Sequence, residues 1–223
     1  MKRILIFGDS IMRGVYYSEE AGRHKLFRER FEKLRESGCE LVNSSVMGAT
    51  VSTGSELLRK KLSAESGSAS DATVIFEYGG NDCDYRWADI SENPEGDYSP
   101  KTPMEKFISL YGENIEYAKK TGARVMLCNL VPLDSDKYLR WISRNLSYEN
   151  IISWLGDKSM LYRWHEYYNR TTEALCEKYG TPLIDIRSPF LLSHKYDSYI
   201  SPDGIHPTVE GHRLIDELIT AAV

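Results

Sequence analysis

The sequence has few cysteines, and none of them is closely spaced with another. Cys39, Cys83, Cys128 and Cys176 are spread over 223 residues. A Cys-x-x-Cys pair is typical of zinc or thiol-redox sites, and closely spaced cysteines in a short chain are typical of a disulfide framework. The histidines show no ligand spacing among themselves either. We therefore expect reduced, mostly buried thiols, no disulfides and no metal site.

Long hydrophobic runs and an excess of basic charge are also absent. No apolar stretch reaches the roughly 20 residues that cross a bilayer. The short apolar run after Met1 passes directly into Gly8-Asp9-Ser10, unlike a signal peptide. With 28 basic and 33 acidic residues, the net charge of −5 argues against general nucleic-acid binding. We expect a cytoplasmic protein with no integral membrane segment and no nucleic-acid partner.

Short apolar runs recur along the chain, separated by helical segments. The runs are mostly apolar on both faces, which is typical of buried parallel strands. They are Arg3–Phe7, Leu41–Ser45, Thr73–Tyr78, Arg124–Asn129 and Pro182–Ile186. The alternation predicts a three-layer α/β/α fold, and the length suits a single domain over residues 1–223. We expect a parallel sheet of these five strands in the flavodoxin-like order 2-1-3-4-5.

Helical spacing of apolar residues predicts one helix after each strand. The predicted helices are Glu19–Ser37, Ser55–Leu62, Thr102–Lys120, Leu161–Tyr179 and a last one from Pro207 through Ala222. Glycines mark several of the expected ends, since glycine readily adopts the left-handed conformation that follows a helix.

Two segments are too long to be ordinary connections and are predicted to be insertions. They are Cys83–Lys101 and Val131–Met160, and together they contain Tyr85, Trp87, Tyr98, Tyr138, Trp141 and Trp154. Long insertions in a compact domain often form lids or pocket walls. Both follow strands, so both should leave from one edge of the sheet. We expect Tyr85, Trp87 and Trp141 to contact substrate. The equally open alternative is that the aromatic residues of the insertions only hold them onto the core.

Four polar segments also belong to that edge of the predicted sheet. Gly8-Asp9-Ser10 follows the first strand, Asn43 to Gly48 the second, and Gly79-Gly80-Asn81-Asp82 the third, while Asp203-Gly204-Ile205-His206 lies near the C-terminus. The carboxyl ends of parallel strands are where open α/β sheets bind their ligands. The four segments are therefore predicted to meet in one site.

A serine, a histidine and an aspartate are the parts of a hydrolytic triad. Ser10 would be a nucleophile if a neighbouring base took its proton. His206 is the candidate base, and Asp203 could bond one ring nitrogen while the other faces Ser10. Each segment has a plainer interpretation by itself, because such residues are also common in strand-ending turns and before helices.

Gly48 and Asn81 are candidate donors to the oxyanion that forms during acyl transfer. A glycine lets a backbone N–H group approach a ligand closely, and an asparagine side chain supplies an NH₂ donor. The Ser10 N–H group would be the third donor. Fixed donors at this position are worth several kcal/mol, about 3–4 for one of them. In isolation, a simple turn residue is the better interpretation of each.

Taken in order, the four segments resemble the blocks of the SGNH hydrolases, also called the GDSL family. The matching blocks are Phe7-Gly8-Asp9-Ser10-Ile11, Asn43-Ser44-Ser45-Val46-Met47-Gly48, Gly79-Gly80-Asn81-Asp82 and Asp203-Gly204-Ile205-His206-Pro207. Ile11 replaces the usual leucine and touches no catalytic group. The resemblance implies the SGNH hydrolase fold, with Ser10 as nucleophile, His206 as base, Asp203 as its orienter, and Ser10, Gly48 and Asn81 as oxyanion donors.

The resemblance predicts a serine ester hydrolase that forms an acyl-enzyme and needs no metal or organic cofactor. Its partner would be a small-molecule ester. We favour a small acyl group, with an acetylated carbohydrate as one candidate, because no long apolar surface helix suggests a lipid interface. A lysophospholipase or thioesterase is the first alternative. A noncatalytic α/β ligand-binding module is an alternative of a different class, and the oligomeric state stays open.

Overall fold

The computed structural model of the protein describes residues 2–63 and 69–223. The strands are β1 (Arg3–Gly8), β2 (Val15–Ser18), β3 (Arg23–Leu26), β4 (Glu40–Asn43), β5 (Ala72–Glu77), β6 (Arg124–Cys128) and β7 (Leu183–Ile184). Among these residues, β2 and β3 form an antiparallel hairpin, and the other five strands form a parallel sheet in the order β4-β1-β5-β6-β7. This order is 2-1-3-4-5 within the sheet, so the predicted topology and fold class are confirmed.

Strand β1 shows why the sheet is buried on both faces. Successive side chains of a strand point to opposite faces. Leu5 and Phe7 enter one hydrophobic cluster, and Ile4 and Ile6 enter the cluster on the other side. β1 pairs with both β4 and β5. Its C-terminal end therefore lies at the centre of the sheet edge, where the first polar segment begins.

The helices are short near that edge and long on the two faces of the sheet. They are α1 (Ser10–Arg13), α2 (Glu32–Glu36), α3 (Val51–Ser63), α4 (Trp87–Glu92), α5 (Met104–Lys120), α6 (Ser135–Ile142), α7 (Tyr148–Leu155), α8 (Ser159–Tyr179), α9 (Ser188–Leu191), α10 (Tyr196–Tyr199) and α11 (Val209–Ala222). The predicted helices at α3, α5, α8 and α11 are confirmed. In the described residues, no helix is both long and apolar enough to cross a membrane.

The predicted helix Glu19–Ser37 is wrong. The hairpin of β2 and β3 turns at Gly22, which has a φ of +60°, and only α2 is helical in this region. Phe27, Phe31 and Leu34 are buried, as their spacing suggested. Phe31, however, has a φ of +59°, which no α-helix contains. The apolar spacing therefore predicted which side chains are buried but not the backbone conformation that buries them.

The two insertions contain short helices and pack against each other. α4 lies in the first insertion, α6 and α7 lie in the second, and α4 contacts α7. They share a third hydrophobic cluster whose buried members are Trp87, Ile90, Leu133, Tyr138, Leu139, Ile151 and Leu161. This cluster lies beside the edge of the sheet where the strands have their C-terminal ends, and it forms one side of the site described next.

Candidate active site

The end of β1 places Ser10 at the start of α1. Asp9 begins this helix, since its Oδ1 accepts the backbone N–H of Ile11 at 2.8 Å. A side chain at Gly8 would lie 2.8 Å from Cγ of Met12, so the tight passage from strand to helix requires glycine there. The Ser10 side chain is thereby held at the centre of the sheet edge.

Ser10, His206 and Asp203 form a continuous series of hydrogen bonds. His206 Nε2 lies 2.9 Å from Ser10 Oγ, and His206 Nδ1 lies 2.7 Å from Asp203 Oδ2. All three side chains are buried. Because an ionised carboxylate only accepts hydrogen bonds, Nδ1 carries the proton and Nε2 is free to accept the Ser10 hydroxyl. This geometry can activate a serine hydroxyl as a nucleophile.

The loop before α11 holds Asp203 in its ionised form. Burial by itself would raise the pKa of Asp203, but the hydrogen bond and charge of His206, with the hydrogen bond of His24, bring that pKa down to about 2. Gly204 has a φ of +79°, and a side chain there would collide with the backbone of Tyr138. The glycine thus allows Asp203 and His206 to face each other within one turn.

The predicted oxyanion donors line the same cavity as Ser10. Gly48, with a φ of +76°, and Asn81 both border it. Asn81 Nδ2 donates to Asp9 Oδ2 at 2.8 Å. A side-chain amide has two N–H groups, so Asn81 keeps one for a substrate oxygen. Its neighbour Asp82 accepts the backbone N–H of Val51 with both carboxylate oxygens, at 3.0 and 3.2 Å, and so ties this loop to α3.

Glu77, which we did not single out from the sequence, lies beside Asp9. It ends β5, is buried and lines the cavity. Burial and the charge of Asp9 raise the pKa of Glu77 well above its ordinary value, and Glu77 hydrogen-bonds Asp9. The sequence feature that could have identified Glu77 is an acidic residue at the end of an otherwise apolar strand. Glu77 supports Asp9, and Asp9 in turn holds Asn81.

We expect Glu77→Gln to gain stability over the wild type as the pH rises. A raised folded-state pKa means that the stability contributed by Glu77 is complete below its unfolded value and is lost as the pH rises through the folded value. Glutamine imitates the protonated form and does not titrate. Thermal unfolding followed from acid to alkaline pH should show the wild type falling about 2–4 °C further behind for each pH unit between the ordinary and the raised pKa, with no further loss above the raised one. A difference that stays constant across the whole pH range would contradict the raised pKa of Glu77.

A cavity of about 360 Å³ opens beside Ser10. Its size is at the lower end for sites that enclose small molecules, about 300–1,000 Å³. Most of its walls are apolar or aromatic, and they include Tyr85, Trp87, Leu130, Val131, Leu133, Tyr138, Trp154, Leu155, Met160, Leu161 and Trp164. The walls are fixed in part by Asp84, whose Oδ1 accepts both Trp87 Nε1–H at 2.8 Å and the Tyr138 hydroxyl at 2.6 Å.

Tyr85 and Trp87 lie in this cavity as expected, whereas Trp141 lies elsewhere. Trp141 is not among the described residues that line the cavity. It packs edge-on against Tyr17 of β2 and His24 of β3, with ring centroids 4.7 and 5.6 Å apart. Strand β3 of the hairpin that provides this surface lies within the segment predicted to be helical, so the sequence did not indicate this partner for Trp141.

His24 also contacts the series of Ser10, His206 and Asp203. Its Nε2 lies 2.9 Å from Asp203 Oδ2. In the described part of the chain, His24, Asp203 and His206 have ligand atoms within 4.8 Å of one another, which is the spacing of a candidate metal site. Both histidines, however, contact the carboxylate at hydrogen-bond lengths, and His206 needs the Nδ1 proton to keep Nε2 basic. The absence of a metal cofactor remains our expectation.

Solved structures with the same fold were found over nearly the whole chain. A lipase/acylhydrolase from Enterococcus faecalis has 18% identity and a TM-score of 0.60, with 100% of this chain and 95% of that one covered. A member of the lipolytic G-D-S-L family from Veillonella parvula has 16% identity and a TM-score of 0.66, with 99% and 97% covered. An acetyl xylan esterase has 20% identity and a TM-score of 0.62, with 99% of both chains covered. At such identities these similarities show the fold alone.

The sequence itself identifies the family. No curated protein matches the chain. The profile of the GDSL-like lipase/acylhydrolase family, in contrast, matches residues 6–214, a span that runs from β1 into α11 and includes all four polar segments. This protein therefore belongs to the GDSL-like lipase/acylhydrolase family and is an acylhydrolase enzyme.

Proposed function

We propose that this acylhydrolase cleaves carboxylic esters through an acyl-enzyme formed on Ser10. The observation that carries the proposal is the series of hydrogen bonds from Ser10 Oγ to His206, at 2.9 Å, and from His206 to Asp203, at 2.7 Å. The series ends at the mouth of a cavity large enough for a small molecule. A buried serine without such a base would be a poor nucleophile.

In the first half of the reaction, His206 Nε2 takes the Ser10 proton as Oγ attacks the ester carbonyl carbon. The C–O double bond becomes a single bond, and its oxygen carries the negative charge. The backbone N–H groups of Ser10 and Gly48 and the free amide N–H of Asn81 stabilise that oxygen. Such donors act most strongly in a site that excludes water. The tetrahedral intermediate collapses, and His206 gives its proton to the departing alcohol.

In the second half, His206 takes a proton from water while the water oxygen attacks the acyl carbon. A second tetrahedral intermediate forms at the same donors. Its collapse breaks the bond to Ser10, and His206 returns the proton to Oγ as the acid leaves. Asp203 stays ionised throughout, because its pKa of about 2 lies far below the working range. Its charge stabilises the His206 imidazolium in both halves.

The cavity supports an ester whose acyl group is apolar and larger than acetyl. Its volume of about 360 Å³ and its aromatic walls favour burial of apolar surface, at about 0.8 kcal/mol for each methylene group. The leaving alcohol or thiol would then lie on the other side of Ser10. This assignment favours the lysophospholipase or thioesterase type of substrate over a simple acetyl ester.

A basic groove that shares Met47 with the cavity supports this arrangement. Met47 borders both the cavity and the groove, whose volume is about 660 Å³ and whose cationic lining is Arg13, Arg23, Lys25 and Arg28. Among the described residues, none of these four cations forms an ion pair with a carboxylate. In a protein of net charge −5, such a groove favours a leaving group that carries negative charge.

An acetylated carbohydrate is the second candidate substrate. Its sugar ring would occupy the cavity, where Trp87, Trp154 and Trp164 offer aromatic faces and edges for contact. One of the similar structures is an acetyl xylan esterase, which fits this alternative. Here the acetyl group, rather than a longer acyl chain, would sit at Ser10.

A panel of p-nitrophenyl esters from acetate to decanoate, run beside acetylated sugars, separates the two candidates. We expect kcat/KM to rise about fourfold for each added methylene until the cavity is full. Trp154→Ala should move the preferred acyl group to a longer one, while Tyr148→Ala, an exposed residue of the same helix α7, should not. The fastest turnover on acetylated sugars, with no gain from chain length, would favour the carbohydrate instead.

A further inference from the structure

His24 lies outside the four polar segments, yet it reaches the centre of the site. It belongs to β3 of the hairpin, which is tied to the loop before α11 by a hydrogen bond from the Tyr17 backbone N–H to Ser201 Oγ at 3.4 Å. His24 Nε2 lies 2.9 Å from Asp203 Oδ2, the same oxygen that is 2.7 Å from His206 Nδ1. The His24 and His206 rings are 4.9 Å apart between centroids. The reaction steps proposed above use no atom of His24.

The contact completes the hydrogen bonding of Asp203. This side chain is fully buried, so its acceptor positions need protein donors. Oδ1 accepts the backbone N–H groups of Ile205 and His206 at 3.1 and 3.0 Å, and Oδ2 accepts His206 Nδ1–H and His24 Nε2–H. A carboxylate has about four acceptor positions. His24 therefore supplies the last donor and must carry its proton on Nε2.

We propose that His24 is a positioning residue that acts on His206 through Asp203; the proposal rests on the proposed function. Two donors on Oδ2 hold the carboxylate against rotation, and the fixed carboxylate holds the His206 ring with Nε2 towards Ser10. Loss of His24 leaves Oδ2 with one donor, so the carboxylate and the His206 ring gain freedom. Orientation of this kind is a principal task of the triad aspartate.

The groups that face His24 come from several elements. They are Asp203 and His206 of the loop before α11, Tyr17 of β2, Trp141 of α6, Arg23 and Lys25 of β3, and Arg13 and Arg28 across the basic groove. Arg144 lies over the Trp141 ring, 3.1 Å from its centroid. Among these groups, Asp203 is the acceptor in contact with His24. The positioning role requires only that His24 carries a proton on Nε2.

Three variants test the role. His24→Phe keeps a ring against Tyr17 and Trp141 but has no donor, His24→Gln restores an amide N–H group near Nε2, and Tyr17→Leu removes ring packing while leaving the donor. On a p-nitrophenyl ester, we expect His24→Phe to lower kcat about tenfold with KM unchanged. His24→Gln should recover most of that loss, and Tyr17→Leu should stay close to the wild type.

The split between kcat and KM adds a readout that packing alone would not give. A loosened fold would weaken substrate binding as well as turnover, whereas a misdirected His206 ring lowers kcat alone. An unchanged kcat in His24→Phe would overturn the proposal. Equal losses in all three variants would also overturn it, because they would indicate packing alone.

Labelling by a fluorophosphonate separates failure of this proposal from failure of the proposed function. A wild type that is neither labelled nor active on any ester would reject the function and, with it, the role of His24. A labelled wild type with an equally fast His24→Phe rejects the role of His24 alone. We expect the labelling rate to fall about tenfold in His24→Phe and to recover in His24→Gln.

Discussion

Ser10→Ala is expected to lower kcat on every ester by about 10⁴–10⁶ while leaving the fold intact. The change removes one oxygen atom, and that oxygen bonds His206 Nε2 at 2.9 Å. The loss of one hydrogen bond costs only about 0.5–1.5 kcal/mol of stability. Single-turnover kinetics and thermal unfolding on the same preparation measure the two effects separately.

The control for this variant is a second buried serine. Ser55 lies in α3, donates to the Val51 carbonyl oxygen at 3.0 Å and is not among the described residues that line the cavity. Ser55→Ala should keep full activity. Mass spectrometry of the wild type treated with a fluorophosphonate should place one label on the peptide that contains Ser10. Full turnover by Ser10→Ala, with an unlabelled wild type, would contradict the assignment of the nucleophile.

His206→Ala is expected to lower kcat by about 10⁴ and to slow fluorophosphonate labelling of Ser10. Without a base, the Ser10 hydroxyl keeps its proton and is a poor nucleophile. Asp203 would also lose the donor that is 2.7 Å from its Oδ2. Added imidazole should restore part of the activity, because the variant leaves space for a ring at the position of the missing side chain.

Rescue by imidazole distinguishes a missing base from a disturbed fold. A disturbed fold would not recover, and its loss would be accompanied by a lower unfolding temperature. His194→Ala is the matched control, since His194 belongs to the loop after α9 and is not among the described residues of the cavity. A His206→Ala enzyme that retained the wild-type rate would remove His206 from the proposed mechanism.

Most of the sheet could be predicted because its signals are local. Each apolar run, such as the segments around Ile6 and Phe76, has an apolar character on both faces that only a buried strand requires. Glycine at position 180, with a φ of +56°, ends α8 where the sequence predicted. The hairpin was missed because the spacing of Phe27, Phe31 and Leu34 fits a helix as well as the irregular chain that buries them.

The sequence by itself determined where the five sheet strands lie along the chain and which polar segments follow them, since these depend on residues that are neighbours in the chain. Only the tertiary structure decided the surroundings of those segments. His24 meets Asp203 across 179 residues, and Trp141 packs on a hairpin far from it in sequence. Such contacts depend on how separate elements approach one another in space. The local pattern of charge and hydrophobicity indicates which residues are buried and which conformation they adopt. It does not indicate which residues from distant parts of the chain will contact them.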